Sequence, residues 1–227
     1  MTQPRDLVVL GGGDHARMVI EAAQSRPDLW RVAGFIDPAP CPETTARYGV
    51  RCVAESDEGL PASAPFDRCS YVLGVGRFAH VSLSAEYRRE IVRRLGAAED
   101  RWGSVMHARA LVSPKAVIGR GVVVLPGAVV NGAAVIGDHA VINTGAVVEH
   151  DVRIGAFTHV APGATIGAAV SIGEGCTIGL GSRVRERLTI GNGATVGMGA
   201  VVVSSVPERE VVVGVPARAT KGGSRDD

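Results

Sequence analysis

Aromatic residues make up only 4% of the 227 residues in this sequence. An ordinary globular core uses more large rings, so the interior is expected to be built from small and β-branched side chains. Neither sign of charge is in excess: 24 Lys and Arg stand against 23 Asp and Glu, a formal net charge of +1. No strong field therefore points to nucleic acid or to an anionic membrane as partner. No apolar stretch reaches the roughly 18 residues that a bilayer-spanning helix requires. The opening MTQPRDLVVLGGG has no basic flank ahead of a long apolar region, so it does not read as a secretory signal. Cys41, Cys52, Cys69 and Cys176 show no C-x-x-C spacing and no framework density, which predicts free thiols in a reducing compartment. These absences lead to the expectation of a soluble, cytoplasmic protein.

What the chain has in abundance is glycine, with 30 residues, alongside Val, Ile and Ala. From Val112 the sequence can be stepped through in sixes to Val202, and each of the sixteen positions visited is Val or Ile. The residue four places later is usually small, as at Ala128, Ala146, Ala164, Cys176 and Ala200. A helical period of 3.6 fits none of this. The pattern predicts a β-solenoid in which each hexad supplies a short strand and a turn, and three hexads close a triangular coil of 18 residues. The aliphatic residue points inward and stacks on its counterpart about 4.8 Å away in the next coil.

The first half has another texture. Leu7–Leu10 reads as a buried strand and Ala16–Ser25 as a helix. Further strands are expected over Arg31–Asp37, Gly49–Ala54 and Cys69–Gly76. An amphipathic helix is expected over His80–Leu95, with Glu86, Arg88, Arg89, Glu90, Arg93 and Arg94 on its outer side. Alternating strands and helices give a small parallel α/β unit. Gly11, Gly13 and Ala16 spell G-x-G-x-x-A, and Asp37 follows about twenty positions on, the dinucleotide fingerprint. The unit is too small for a dinucleotide fold, which needs two mononucleotide halves, and the rest of the chain is committed to the coil. A ligand smaller than NAD is expected at the glycines.

The unbroken hexads, with the GVPA turn at Gly214–Ala217, resemble the hexapeptide-repeat acyltransferases, which implies a left-handed hand for the coil. Adding GGGDHAR, GFID and LGVG, nearly the whole chain resembles the nucleotide-sugar N-acetyltransferases of the bacillosamine and perosamine type and the related sialic acid O-acetyltransferases. The fold expected is a small Rossmann-like βαβ domain followed by a left-handed parallel β-helix. Residues 1–105 would hold a nucleotide sugar and residues 106–227 acetyl-CoA. The activity implied is acetyl transfer to the amino group of a UDP- or GDP-linked amino-deoxysugar. The alternatives are O-acetylation of a sialic acid or similar sugar, and a non-catalytic solenoid that only binds.

His150 lies between Glu149 and Asp151. An exposed imidazole of ordinary basicity can take a proton from an attacking amine, and a neighbouring carboxylate can hold its tautomer. The resemblance makes His150 the general base and Asp151 its partner, with His159 bonded to acetyl-CoA. His159 follows half a coil later and projects from a different side of the prism, so a homotrimer with sites between subunits would bring the two histidines together or place the cofactor between them. Ala168, Leu180, Gly197 and Met198 are expected along the acetyl-CoA groove, with Arg183, Arg185, Arg187, Arg218 and Lys221 near its phosphates. On the nucleotide side the expected residues are Gly11, Gly12, Gly13, Asp14, His15, Asp37, Pro38, Gly74 and Gly76, with phosphate at the helix N-terminus. His139, His150 and His159 are spaced by 11 and 9, unlike the zinc sites of γ-class carbonic anhydrases built on the same coil, so no metal is expected. His139 is expected to be an exposed turn residue.

Overall fold

The computed structural model describes residues 3–39, 41–58, 60–62, 65–76 and 84–220. The chain begins with β1 (Arg5–Leu10), α1 (Asp14–Gln24), β2 (Trp30–Ile36), α2 (Pro42–Tyr48), β3 (Cys52–Ala54), β4 (Ser70–Leu73) and α3 (Ser84–Leu95). The strands pair in parallel in the order β3-β2-β1-β4. β1 is central and its Leu7, Val8, Val9 and Leu10 are buried, which is why it reads as a continuous apolar run. Leu7 and Val9 pack with Val19, Ile20 and Ala23 of α1 on one side. Val8 and Leu10 pack with Ile91 and Leu95 of α3 on the other.

Two expectations change. The segment before Gly49, for which no element was expected, forms α2, a helix with Pro42 in its first turn and Gly49 as a left-handed cap at φ 67°. Pro at the start and Gly past the end are a helix signature, but PETTARY has no apolar stripe to announce it. The expected strand over Gly49–Ala54 shrinks accordingly to Cys52–Ala54. In α3, Arg88 is not on the outer side. It is 2% exposed. Residues His80 to Leu83 of the expected helix lie outside the described residues.

From Val105 onward the chain is a left-handed parallel β-helix of three sheets, with eight, six and five strands. The eight-stranded sheet is the docking face; its first six strands start at Val105, Val123, Val141, His159, Thr177 and Thr195 and pair in register 18 residues apart, and Val211–Val213 and the antiparallel Arg218–Ala219 complete it. The second face carries Leu111, Val129, Val147, Thr165, Arg183 and Val201 as first residues of its strands. The third carries Val117, Val135, Arg153, Ser171 and Thr189. In the two-residue strands of the coils, from Val105 to Val202, the second side chain points inward, and Val124, Ile142, Val160 and Ile178 form one such stack, all fully buried. The corners recur every six residues with a left-handed backbone, glycine at some and Ala133, His139, Asp151, Phe157, Ala169 or Arg187 at others.

The α/β unit sits on the docking face. Val105, Val123 and Val141 present an apolar column to which Val19 and Ile20 of α1 bind. α3 runs along the corner between the third face and the docking face. There Arg88 donates to the carbonyl oxygens of Phe157, at 3.1 Å, and His139. Burial, then the neighbouring Arg89, push its pKa down to about 10, so it stays charged. His139 is not the exposed turn residue expected: it is 6% exposed, stacked on Phe157 at 4.9 Å and edge-on to Trp102 at 4.7 Å. Burial and then the Arg88 charge push its pKa down to about 4.

Candidate functional site

The residues expected to carry chemistry fall into two groups on different sides of the molecule. The first lines a cavity of about 700 Å³ at the carboxyl ends of β1, β2, β3 and β4. This is where open α/β sheets hold ligands, beside the point where strand order reverses between β1 and β4. Gly11, Gly13, Asp14, His15, Asp37, Pro38, Gly74 and Gly76 all line it. Gly12 does not. Its amide donates to Asp37 Oδ2 at 2.6 Å, and its carbonyl accepts from the Thr44 hydroxyl at 2.6 Å. A Cβ at Gly12 would lie 2.6 Å from the Phe35 ring, so only glycine fits there.

His15 is in the first turn of α1 and its Nε2 is buried with no partner among the described residues. Burial, then the charge of Arg88, push its pKa down to about 4, leaving the ring neutral. Gly76 is what makes room for it, because a Cβ there would lie 2.8 Å from that of His15. The rest of the cavity wall was not legible as a site in the sequence. Glu55, Ser56, Asp57 and Glu58 follow β3, and Tyr87, Ile91 and Arg94 come from α3. Arg94 grips Asp57 with two hydrogen bonds of 2.7 and 2.8 Å across that wall. Only the α3 periodicity, which places residues 87, 91 and 94 on one helical face, carried a signal for them.

The second group is built around His150, at the corner between the second and third faces. Asp151 Oδ2 lies 2.7 Å from His150 Nδ1, and both side chains are about 60% exposed (61% and 60%). A carboxylate only accepts, so the proton sits on Nδ1 and the Nε2 lone pair is free to act as a base. Asp151 holds this pose from a left-handed backbone at φ 62°. Glu149 Oε2 accepts from Asn131 Nδ2 at 3.0 Å and from the His150 amide at 3.4 Å, so the coil below steadies the corner. Ala168 stands one coil above His150. Gly167 donates to Val184 and Ala169 to His150 at 2.9 and 3.0 Å, whereas the Ala168 N–H meets no acceptor among the described residues. Arg185 and Arg187 occupy the same corner one coil further along.

His159 belongs to the docking face, immediately beyond the apolar column of Val105, Val123 and Val141. Its Nε2 is 3.1 Å from Asn143 Nδ2, and its ring faces His15 at 6.0 Å. Leu180 and Met198, 57% and 72% exposed, project with Gly197 from the corner between the docking face and the second face. His150 therefore occupies the one edge of the prism that does not border the docking face. A single chain does not bring it to the cavity or to His159. Arg183 projects from the second face, Arg218 lies in the final strand, and Lys221 is outside the described residues. Among the described residues no helix is long and apolar enough to cross a membrane, and no group of three or more His, Cys, Asp or Glu is arranged to hold a metal.

Residues 6–95 match the PglD N-terminal domain and residues 145–180 the bacterial transferase hexapeptide of six repeats. No curated protein matches. A perosamine N-acetyltransferase from Caulobacter crescentus, solved as a His-to-Asn mutant with CoA and GDP-perosamine, is 33% identical with TM-score 0.81, over 96% of this chain and 97% of that one. The acetyltransferase domain of PglB from Neisseria gonorrhoeae, in complex with acetyl coenzyme A, is 32% identical with TM-score 0.82, over 96% and 100%. WeeI from Acinetobacter baumannii is 26% identical with TM-score 0.73, over 95% and 100%. At 33% identity to the perosamine N-acetyltransferase over nearly the full length of both chains, this protein belongs to the hexapeptide-repeat sugar N-acetyltransferases.

Proposed function

We propose that the protein transfers an acetyl group from acetyl-CoA to the amino group of a nucleotide-linked amino-deoxysugar. The observation that carries this reading is the presence in one chain of a glycine-loop cavity and an exposed, carboxylate-oriented imidazole on a solenoid edge. The relatives with CoA, acetyl coenzyme A and GDP-perosamine bound support it. Residues 1–105 would bind the nucleotide sugar, with the diphosphate at the start of α1 and Asp37 and Pro38 toward the nucleoside. Residues 106–227 would bind acetyl-CoA, its pantetheine running past His159, Leu180, Gly197 and Met198.

In the reaction the sugar nitrogen attacks the thioester carbonyl while His150 Nε2 takes the amine proton. Asp151 stabilises the imidazolium as it forms. The free Ala168 N–H is the donor one coil away that meets the tetrahedral oxyanion. Collapse expels the CoA thiolate, which recovers the proton from the imidazolium. No covalent enzyme intermediate is needed, and Cys176 is 1% exposed in a coil corner.

His150 and the cavity lie on opposite sides of one prism, so a neighbouring chain must supply one of them. A homotrimer packed through the second face does this, since both flanking corners then meet their counterparts. The second face carries Leu111, Val129, Val147 and Val201 outward, with Leu111 69% exposed, as such an interface requires. We place the protein in the cytoplasm, where its four free thiols remain reduced.

The test is CoA release with UDP- and GDP-linked 4-amino sugars and with free sialic acid. Turnover of an amino sugar with formation of an amide supports the reading. Faster turnover of the sialic acid overturns it in favour of O-acetylation, and no release with any acceptor leaves a binding solenoid.

A further inference from the structure

The glycine loop is held from behind by a residue that does not touch the cavity. Thr44, in α2, is completely buried. Its hydroxyl donates to the Gly12 carbonyl at 2.6 Å and accepts from Arg17 Nε at 3.1 Å. Arg17 is itself fixed by Asp14 at 3.2 Å and Glu43 at 3.4 Å. On the other side of the same residue, Asp37 accepts the Gly12 amide.

The carbonyl and N–H of one trans peptide point in opposite directions. Holding the Gly12 carbonyl against α2 therefore turns the Gly13 N–H the other way. Gly13 lines the cavity and Gly12 does not. The Gly13 N–H has no acceptor among the described residues, and it sits at the cap of α1, where the unpaired amides and the helix dipole favour an anion. A glycine peptide left to itself flips readily, because no Cβ restricts it. With φ 114° at Gly11, the loop sits in a conformation that needs an external hold.

We infer that Thr44 is a positioning residue for diphosphate recognition: by fixing the Gly12 carbonyl it aims the Gly13 N–H at a phosphate oxygen of the nucleotide. This rests on the reading of the cavity as a nucleotide-sugar site. Thr44 meets no reacting atom, and its effect is confined to the part of the ligand that carries the phosphates.

The experiment compares wild type, Thr44→Val and Thr44→Ser. Valine keeps the shape and removes the hydroxyl, and serine keeps the hydroxyl. Affinity is measured for UDP and GDP and, by competition, for uridine and guanosine, alongside KM for the nucleotide sugar and for acetyl-CoA. Thr44→Val is expected to weaken the diphosphates about tenfold or more, as loss of a hydrogen bond to a charged group does. Nucleoside affinity, kcat and the KM for acetyl-CoA stay within about twofold, and Thr44→Ser restores diphosphate binding. Unchanged diphosphate affinity in Thr44→Val overturns the inference, as does an equal loss for nucleoside and diphosphate or a failure of serine to rescue. If wild type binds neither UDP nor GDP, the nucleotide-sugar reading itself falls, a result distinct from a wild type that binds and a valine variant that binds equally well.

Discussion

The imidazoles of His15 and His159 lie with their ring centroids 6.0 Å apart and their planes tilted by 41°. One ring comes from the first turn of α1 and the other from the docking face of the solenoid, so this contact joins the glycine-loop cavity to the coil. It sits where the outward column of the docking face changes from Val105, Val123 and Val141 to polar residues. The valines bind α1, and His159, next in the column, meets the ring of His15.

Acid should loosen this junction before the rest of the fold. His15 and His139 both have pKa values pushed down to about 4 from 6.5, chiefly by burial. Between those values the unfolded chain binds protons that the folded chain does not, so stability rises with pH and is lost as pH falls from 6.5 toward 4. The loss at the lower end is on the order of 3 kcal/mol per imidazole. His139→Asn tolerates the left-handed backbone and removes one titrating group. Its denaturation midpoint is expected to fall less between pH 7 and pH 4.5 than that of wild type, even if it starts lower. An unchanged pH slope refutes the assignment.

Cys176 should be dispensable for chemistry and sensitive to size. Its thiol donates to the Gly191 carbonyl at 3.0 Å, and burial pushes its pKa up. Cys176→Ala is expected to keep kcat within about twofold and to cost about 1 kcal/mol. Cys176→Leu overfills the corner and costs roughly 1–3 kcal/mol or more. Urea denaturation and CoA release measure the two effects. A hundredfold fall in kcat for the alanine variant requires a covalent step instead.

The solenoid was legible because one rule repeats: an inward Val or Ile every six residues from Val112 to Val202 leaves a register that nothing else produces. The glycine loop was legible because close backbone approach at Gly12 and Gly76 leaves no room for a side chain. What was not legible depends on two distant segments meeting. Arg88 sits among charged residues at helical spacing and reads as surface, yet α3 docks on the His139 and Phe157 corners and buries it. His139 looked exposed for the same reason, since Trp102 and the α/β unit cover it. Thr44 lies in a polar seven-residue helix, and its importance exists only through the Gly12 carbonyl it holds.

The His150–Asp151 pair should separate base from orienter kinetically. His150→Ala is expected to lower kcat by about 10²–10⁴-fold. Asp151→Asn leaves the imidazole in place without its carboxylate partner, so a smaller fall is expected, about tenfold or more. The KM for acetyl-CoA should stay within about twofold for Asp151→Asn, because the role proposed for the pair concerns the amine proton and not the binding of acetyl-CoA. Steady-state kinetics of CoA release decide it, and an alanine variant within about tenfold of wild type excludes His150 as the base.

Mixed oligomers test whether the site is shared between chains. His150 stands on the prism edge away from the docking face, and the cavity with His15 and His159 lies on that face. One variant, His150→Ala, keeps the cavity and loses the base. A second, Gly13→Leu, keeps the base and fills the cavity mouth; no atom lies within 4 Å of a Cβ at Gly13, so the side chain has space and the fold is preserved. Each variant alone is expected to be nearly inactive. If the base of one chain serves the cavity of its neighbour, unfolding and refolding an equal mixture yields active sites wherever a Gly13→Leu chain meets a His150→Ala chain in the right order. In a randomly mixed ring that is about a quarter of all sites, so activity should recover to about a quarter of wild type. A site contained within one chain gives no recovery at any mixing ratio, because every chain then lacks either its base or its cavity.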